Sequence, residues 1–407
     1  MGFPESFWWG TGASSDATDG AAPGSDLHAW ARHGARPPLV GDAGLTARAA
    51  DDIGLLAEHG LRHLRFVLDW TRLEPVPGQH DSQAIEDALR VLEVARAAGV
   101  SVWGCLHDGS LPGWFAVDEH GFTDARSRGY LWARHVEFIG ETFGPHVHGW
   151  VPVYEPNRWA AQGWLDGARP PGLRDDAEGF AEALEGIQLA TVGAALRLRQ
   201  DGHPVASAQW LPPVFAARLQ PGAPATPDAE AMASIVDEVH RGSWLRLLEE
   251  ETLQVPGRGP VDVPGAREAF DLIGFTYRHA IAVRGDGALL PYPQDGAEPG
   301  GAPVAFAEGL GLVLHRLADA LPDRSLLVAG VGLSTADEDQ REQYVRDLLL
   351  HTEEAVDGGI DLRGWWWNTP IDPSPERGGP GLFDHDRAVR PALELLAEVV
   401  SGRPIPT

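Results

Sequence analysis

Eight short runs rich in β-branched and aromatic residues recur along this chain, and each is followed by a stretch with helical spacing. They are Phe7 to Gly12, Leu64 to Leu68, Ser101 to Leu106, Gly149 to Tyr154, Pro204 to Gln209, Leu272 to Tyr277, Ser325 to Gly330 and Leu362 to Trp367. Between them lie patterns such as Ala47 to His59 and Ser82 to Ala98, where apolar residues return at three and four positions. Strand and helix alternating in this way is the signature of an α/β repeat architecture. No Gly-rich dinucleotide fingerprint follows the first run, so eight strands are expected to close into a (β/α)8 TIM barrel rather than an open doubly wound sheet. Residues 1–407 read as one barrel domain, without internal repeat or linker. Two segments rich in Pro, Gly and Ala, about 211–228 and 283–305, read as long loops above the barrel mouth. The active site of such a barrel lies at the C-terminal strand ends.

Composition narrows the ligand class. No segment approaches the roughly 18 consecutive apolar residues of a membrane span. The 59 acidic against 32 basic residues give a formal charge of −27, which argues against nucleic acids and anionic membranes, both polyanionic. Small neutral or cationic substrates stay open. The sole thiol, Cys105, excludes an intramolecular disulfide and falls inside the third strand as a core residue. Without a basic start and apolar signal segment, a cytoplasmic location is the expectation. None of the 16 histidines forms a closed ligand set, so no metal and no cofactor are assigned.

One strand carries the chemistry. In Val151-Pro152-Val153-Tyr154-Glu155-Pro156-Asn157-Arg158-Trp159 an apolar run ends abruptly in a carboxylate followed by proline, which aims Glu155 at the barrel mouth. Asp108, beside His107 at the end of the third strand, is a second mouth carboxylate, and Asp69 and Asp16 are further ones. Of Trp365, Trp366 and Trp367, alternation along a strand sends at least one inward and at least one onto the helices.

The chain resembles family 1 glycoside hydrolases from Phe3-Pro4 to Arg390-Pro391. The opening Phe3-Pro4-Glu5-Ser6-Phe7-Trp8-Trp9-Gly10 is similar to the family's first strand, and Leu64-Arg65-Phe66-Val67-Leu68-Asp69-Trp70 to its second. Glu155-Pro156 with Gly163-Trp164 and Pro171-Gly172 follows the fourth-strand pattern, Asp271-Leu272-Ile273-Gly274-Phe275-Thr276-Tyr277 the sixth, and Gly359 to Trp365 with Gly381-Leu382-Phe383-Asp384 the eighth. The resemblance implies the barrel and a small-molecule glycoside or polyol as substrate. It makes Glu155 the general acid/base and Arg65 the arginine under the catalytic carboxylates. Tyr277 is the matching sixth-strand tyrosine, and Asp69, His107, Asn157, Trp367 and Asn368 complete the expected substrate contacts.

Departures cluster where the family handles sugar. Ala17 stands ahead of Asp19-Gly20 in place of a glutamine, Asp108-Gly109 replaces His-Trp, and Tyr154 replaces the asparagine before the acid/base. The seventh strand, which in the family supplies the nucleophile, reads Ala329-Gly330-Val331-Gly332 without a carboxylate. Retaining hydrolysis needs a carboxylate that forms a covalent ester, whereas inverting hydrolysis needs a base that activates water. The expectation is therefore an inverting glycosidase with Glu155 as acid and Asp108, or else Asp69 or Asp16, as base. The alternatives are an elimination, isomerisation or cyclisation using one acid/base, and a non-catalytic carbohydrate-binding protein.

Overall fold

The computed structural model describes residues 2–32, 42–220, 222–294, 303–375 and 378–406. Eight parallel strands form one sheet: β1 Trp8–Gly12, β2 His63–Val67, β3 Ser101–His107, β4 Gly149–Val153, β5 Gln209–Trp210, β6 Ile273–Tyr277, β7 Leu326–Val331 and β8 Leu362–Trp367. Their order runs β4-β3-β2-β1-β8-β7-β6-β5. The two edges meet. Val205 pairs in parallel with Trp150, and the Trp150 and Glu155 amides donate to Pro204 and Ala208 carbonyls at 2.9 and 2.8 Å. That seam closes the barrel. The strand expected over 204–209 is interrupted: isolated bridges at Val205 and Ala206 precede the two-residue ladder of β5.

One helix follows each strand: α1 Ala49–Glu58, α2 Ser82–Ala97, α3 Ala133–Phe143, α4 Ala177–Leu198, α5 Ser243–Glu250, α6 Glu308–Ala320, α7 Glu338–Asp357 and α8 Pro391–Val400. Short side chains such as Asp81, Asp176 and Asp337 cap α2, α4 and α7 by accepting from backbone amides, supplying partners that the first turn lacks. Among the described residues no helix is long and apolar enough to cross a membrane.

Alternation splits the core into two layers. Ile53, Val91, Leu92, Ile139, Leu184, Phe275, Tyr277, Trp365 and Trp367 belong to the layer between strands and helices. Val67, Trp103, Cys105, Val151, Tyr154, Ala206, Leu327, Ala329 and Trp366 fill the barrel interior. Trp366 is the inward member of the tryptophan triplet. Gly10 makes room for it, since a Cβ there would come within 2.5 Å of Trp366 Cδ1.

The two expected loops are partly built. Val214–Ala216, Ala280–Val283 and Leu289–Tyr292 form a separate three-stranded sheet, and Pro227 begins a helix. Residues 295–302 of the second segment, like 221 of the first, lie outside the described residues. Proline and glycine marked these segments as interruptions of the repeat. Their short strands pair only with each other and so left little periodic signal.

Candidate active site

The charged groups gather at the C-terminal ends of β2, β3, β4 and β6. Arg65 on β2 points inward and is fully buried. It donates from Nη1 to Asp108 Oδ2 at 2.6 Å and from Nη2 to Asn368 Oδ1 at 3.0 Å, and its guanidinium carbon lies 3.6 Å from the centre of the Tyr154 ring. One arginine thus ties together the ends of β3, β4 and β8. The carboxylate that Arg65 faces is Asp108.

Glu155 stands at the junction of β4 and the helix Pro156–Trp164, in the left-handed region at φ 51° and ψ 52°. Proline at the next position disfavours the right-handed helical conformation for the residue before it. A non-glycine residue held here stores strain of the kind concentrated at functional sites. The Glu155 carboxylate accepts from Thr276 Oγ1 and Arg278 Nε on Oε1, both at 2.7 Å, and from Arg158 Nη1 on Oε2 at 2.9 Å. Burial alone would raise its pKa. The facing Arg278 and Arg158 charges and the hydrogen bonds outweigh that and hold it at about 2.

Asp108 behaves in the opposite sense. Burial raises its pKa, the Arg65 ion pair offsets only part of that, and the nearby Glu155 charge adds to the rise. Of the two mouth carboxyls, Glu155 is shifted down by its two arginines, and Asp108, paired with Arg65, is shifted up by burial. A proton donor near neutral pH needs a raised pKa; the arginine partners of Glu155 produce the reverse.

The end of β7 carries no carboxylate: Gly330 stands where the resemblance placed the nucleophile. The vacated room is filled from across the barrel, because a Cβ at Gly330 would overlap the Tyr154 hydroxyl oxygen.

Other expected site residues go elsewhere. Asp69 caps the short helix Trp70–Leu73, accepting from the Thr71 amide at 2.9 Å, and pairs with Arg72 at 3.4 Å. Asp16 pairs with Arg169 at 3.2 Å but stays near Asp108, whose pKa its charge helps to raise. Asn157 spends its side chain on the backbone N–H and carbonyl of Trp210 and on His240, which stitches the helix after β4 to β5. Tyr277 faces outward and donates to the Phe306 carbonyl. Trp367 also faces outward, its indole N–H donating to the Pro380 carbonyl at 2.7 Å. For both, the two-residue period of the strand decides the side, and their expected substrate contacts give way to packing. His107 is 1% exposed, with its ring centre 5.7 Å from that of Phe122 and 5.8 Å from that of Trp159; burial lowers its pKa to about 3 and keeps it neutral. Neither ring nitrogen has a hydrogen-bond partner among the described residues.

The residues that sequence reasoning missed as partners are Arg158, Arg278 and Thr276. Arg158 was within reach, three positions after Glu155 on a helix. Arg278 and Thr276 come from β6 and required the barrel's closure to be known. Among the described residues no group of three or more His, Cys, Asp or Glu is placed to hold a metal ion.

Comparison with known proteins bears on the family and the fold. The sequence model of Glycosyl hydrolase family 1 matches residues 1–246. Thermostable beta-glucosidase B of Thermobispora bispora is 26% identical over 411 residues, spanning 91% of this chain and 83% of that protein. Beta-glucosidase A of Thermotoga maritima is 28% identical over a shorter 183 residues, 42% of this chain and 41% of that one. In fold, the chain is similar to the beta-glycosidase from Pyrococcus horikoshii, with a TM-score of 0.86 at 19% identity, covering 100% of this chain and 96% of the other. It is also similar to a psychrophilic beta-glucosidase from Micrococcus antarcticus, with a TM-score of 0.82 at 22% identity over 99% and 98% of the two chains. With more than half its length matched by one family and the same barrel closed around the mouth, the chain belongs to glycosyl hydrolase family 1.

Proposed function

We propose that this chain is a β-glucosidase-like enzyme that cleaves the O-glycosyl bond of a small glycoside by a single, inverting displacement. Asp108 and Glu155 divide the acid and base work. The observation that carries the reading is the pair of buried strand-end carboxyls in unlike surroundings, Asp108 against the single cation Arg65 and Glu155 clamped by Arg158, Arg278 and Thr276; burial shifts the pKa of Asp108 up and the cations shift that of Glu155 down. Pairs of titratable groups pushed apart by their surroundings are how acid and base are assigned within one site. Asp108 would pass its proton to the leaving oxygen as the bond to the anomeric carbon breaks. Water adds to the opposite face of that carbon, and its proton passes to Glu155. This reverses the role expected for Glu155 from sequence, that of proton donor.

The test is the configuration of the first sugar released from 4-nitrophenyl β-D-glucoside, followed by NMR before mutarotation. The α-anomer is expected. Asp108→Asn and Glu155→Gln should each lower kcat by about 10²–10⁴-fold, the usual worth of a positioned acid or base. Release of the β-anomer by the natural chain would sink the single-displacement reading.

One observation favours a second reading, carbohydrate binding without turnover: both Glu155 oxygens are already engaged by Arg158, Arg278 and Thr276. It requires measurable glycoside affinity, no turnover, and no change in that affinity with Asp108→Asn.

A further inference from the structure

The pairing of Tyr154 with Gly330 goes beyond this reading. We propose that Tyr154 is a positioning residue that closes the end of β7, and that Tyr154 and Gly330 form one exchangeable pair deciding whether a β7 carboxylate can reach the reacting carbon. The inference deepens the proposed reaction and rests on the mouth being a glycoside site.

Four observations converge on it. A Cβ at Gly330 would overlap the Tyr154 hydroxyl oxygen and stand 3.2 Å from its Cζ, with Thr276 Cγ2 at 3.4 Å as the other wall. Tyr154 is 3% exposed, so the ring cannot swing into solvent without opening the barrel interior. Arg65 holds the ring from its face, 3.6 Å from the centroid, an attraction that strengthens when the pair is desolvated. The hydroxyl oxygen has no hydrogen-bond partner among the described residues. An unpaired buried hydroxyl is costly. Here its shape provides the compensation: it occupies volume that a bare glycine at the strand end would leave empty, and a void there forfeits packing.

The pair makes a prediction about packing and another about chemistry. Gly330→Ala should lower the melting temperature of the natural chain by several degrees, whereas in a Tyr154→Asn background the same change should cost nothing further. Coupling of this kind is what contacting residues display in a double-mutant cycle. Equal losses in both backgrounds would overturn the packing claim.

For the chemistry, the double variant Tyr154→Asn/Gly330→Glu is incubated with 2,4-dinitrophenyl 2-deoxy-2-fluoro-β-D-glucoside and weighed intact by mass spectrometry. An oxygen of the introduced carboxylate bonds to the anomeric carbon while the bond to dinitrophenolate breaks, and the electron pair leaves with the phenolate. No proton is needed, so the result does not depend on Asp108 or Glu155 acting as an acid. The expected outcome is a mass gain of one fluoroglucosyl group in the double variant, with none in the natural chain or in Gly330→Glu alone. An unlabelled double variant would overturn the claim that this pair sets the route. Failure of the inverting reading alone would instead appear as absent turnover in the natural chain, with the double variant still labelled and the packing cycle still coupled.

Discussion

β3 and β4 end in Asp108 and Glu155, each fastened by arginine, while β7 on the far side of the barrel ends in Ala329-Gly330-Val331-Gly332 with a tyrosine ring filling the gap. Both regions obey the same fold rules: buried parallel strands, inward and outward residues alternating, glycine wherever a large neighbour intrudes. What differs is which atoms stand at the strand ends. Architecture survives wherever apolar alternation survives. A reaction is fixed by a few end positions and can be lost or redirected while every strand stays in register.

If the charged side of the mouth is one electrostatic unit, its largest dependence is on Arg65. Arg65→Met keeps the side-chain length but leaves Asp108 without its cation and Tyr154 without its stacked guanidinium. Removing one partner of a buried pair costs about 3–5 kcal/mol, read as a lower urea midpoint at unchanged slope. A loss below about 1 kcal/mol would mean that the pair behaves like a solvated surface bridge, and the distinction between the two sides would weaken.

Most of the fold was readable because it rests on periodicity. Seven strands fell where β-branched and aromatic runs stood, the fifth only as bridges at Val205 and Ala206 and a short ladder at Gln209–Trp210, and helices such as α1 and α2 where apolar residues returned every third or fourth position. The mouth was legible only in part. Arg65, Asp108, Glu155 and Asn368 do converge. Tyr277 and Trp367, expected to touch substrate, face the helices, because a strand's two faces are assigned only once one inward residue is known. The protonation of Glu155 was not legible at all. It depends on Arg278, which is 123 positions away in sequence and 2.7 Å away in space. Tyr154 was visible as a substitution, and Gly330 as another, but that one fills the space of the other is a fact of closure.

The next effect is acid sensitivity. Glu155 has a folded pKa of about 2 against an ordinary value of 4.5, so the folded state holds its charged form more firmly than the unfolded chain does. Its contribution is complete above about pH 4.5 and is lost as pH falls from there toward 2. The size is roughly 3 kcal/mol, at 1.36 kcal/mol per pKa unit. Unfolding free energies of the natural chain and Glu155→Gln measured from pH 6 to pH 2 should therefore converge at the acid end. Parallel curves would show that the arginines do not hold Glu155 in its ionised form, and the division of acid and base between β3 and β4 would fail with it.

The smallest effect probes the part of the clamp that β6 supplies. Thr276 donates its hydroxyl to Glu155 Oε1 at 2.7 Å and is fully buried. Thr276→Val keeps the shape of the side chain, removes that one hydrogen bond, and leaves Arg158 and Arg278 in place. A hydrogen bond to a charged group contributes about 1.5–3 kcal/mol, but the two arginines still satisfy the same carboxylate, so a loss of about 1 kcal/mol is expected. The Glu155 pKa should rise from about 2, which lifts the lower end of the acid loss and shrinks its size while its start stays at the unfolded value, because a bond to the ionised form has been taken away. A variant that loses stability with no movement of that acid limb would assign Thr276 to packing alone. The clamp on Glu155 would then reduce to its two cations, Arg158 from the helix after β4 and Arg278 from the end of β6.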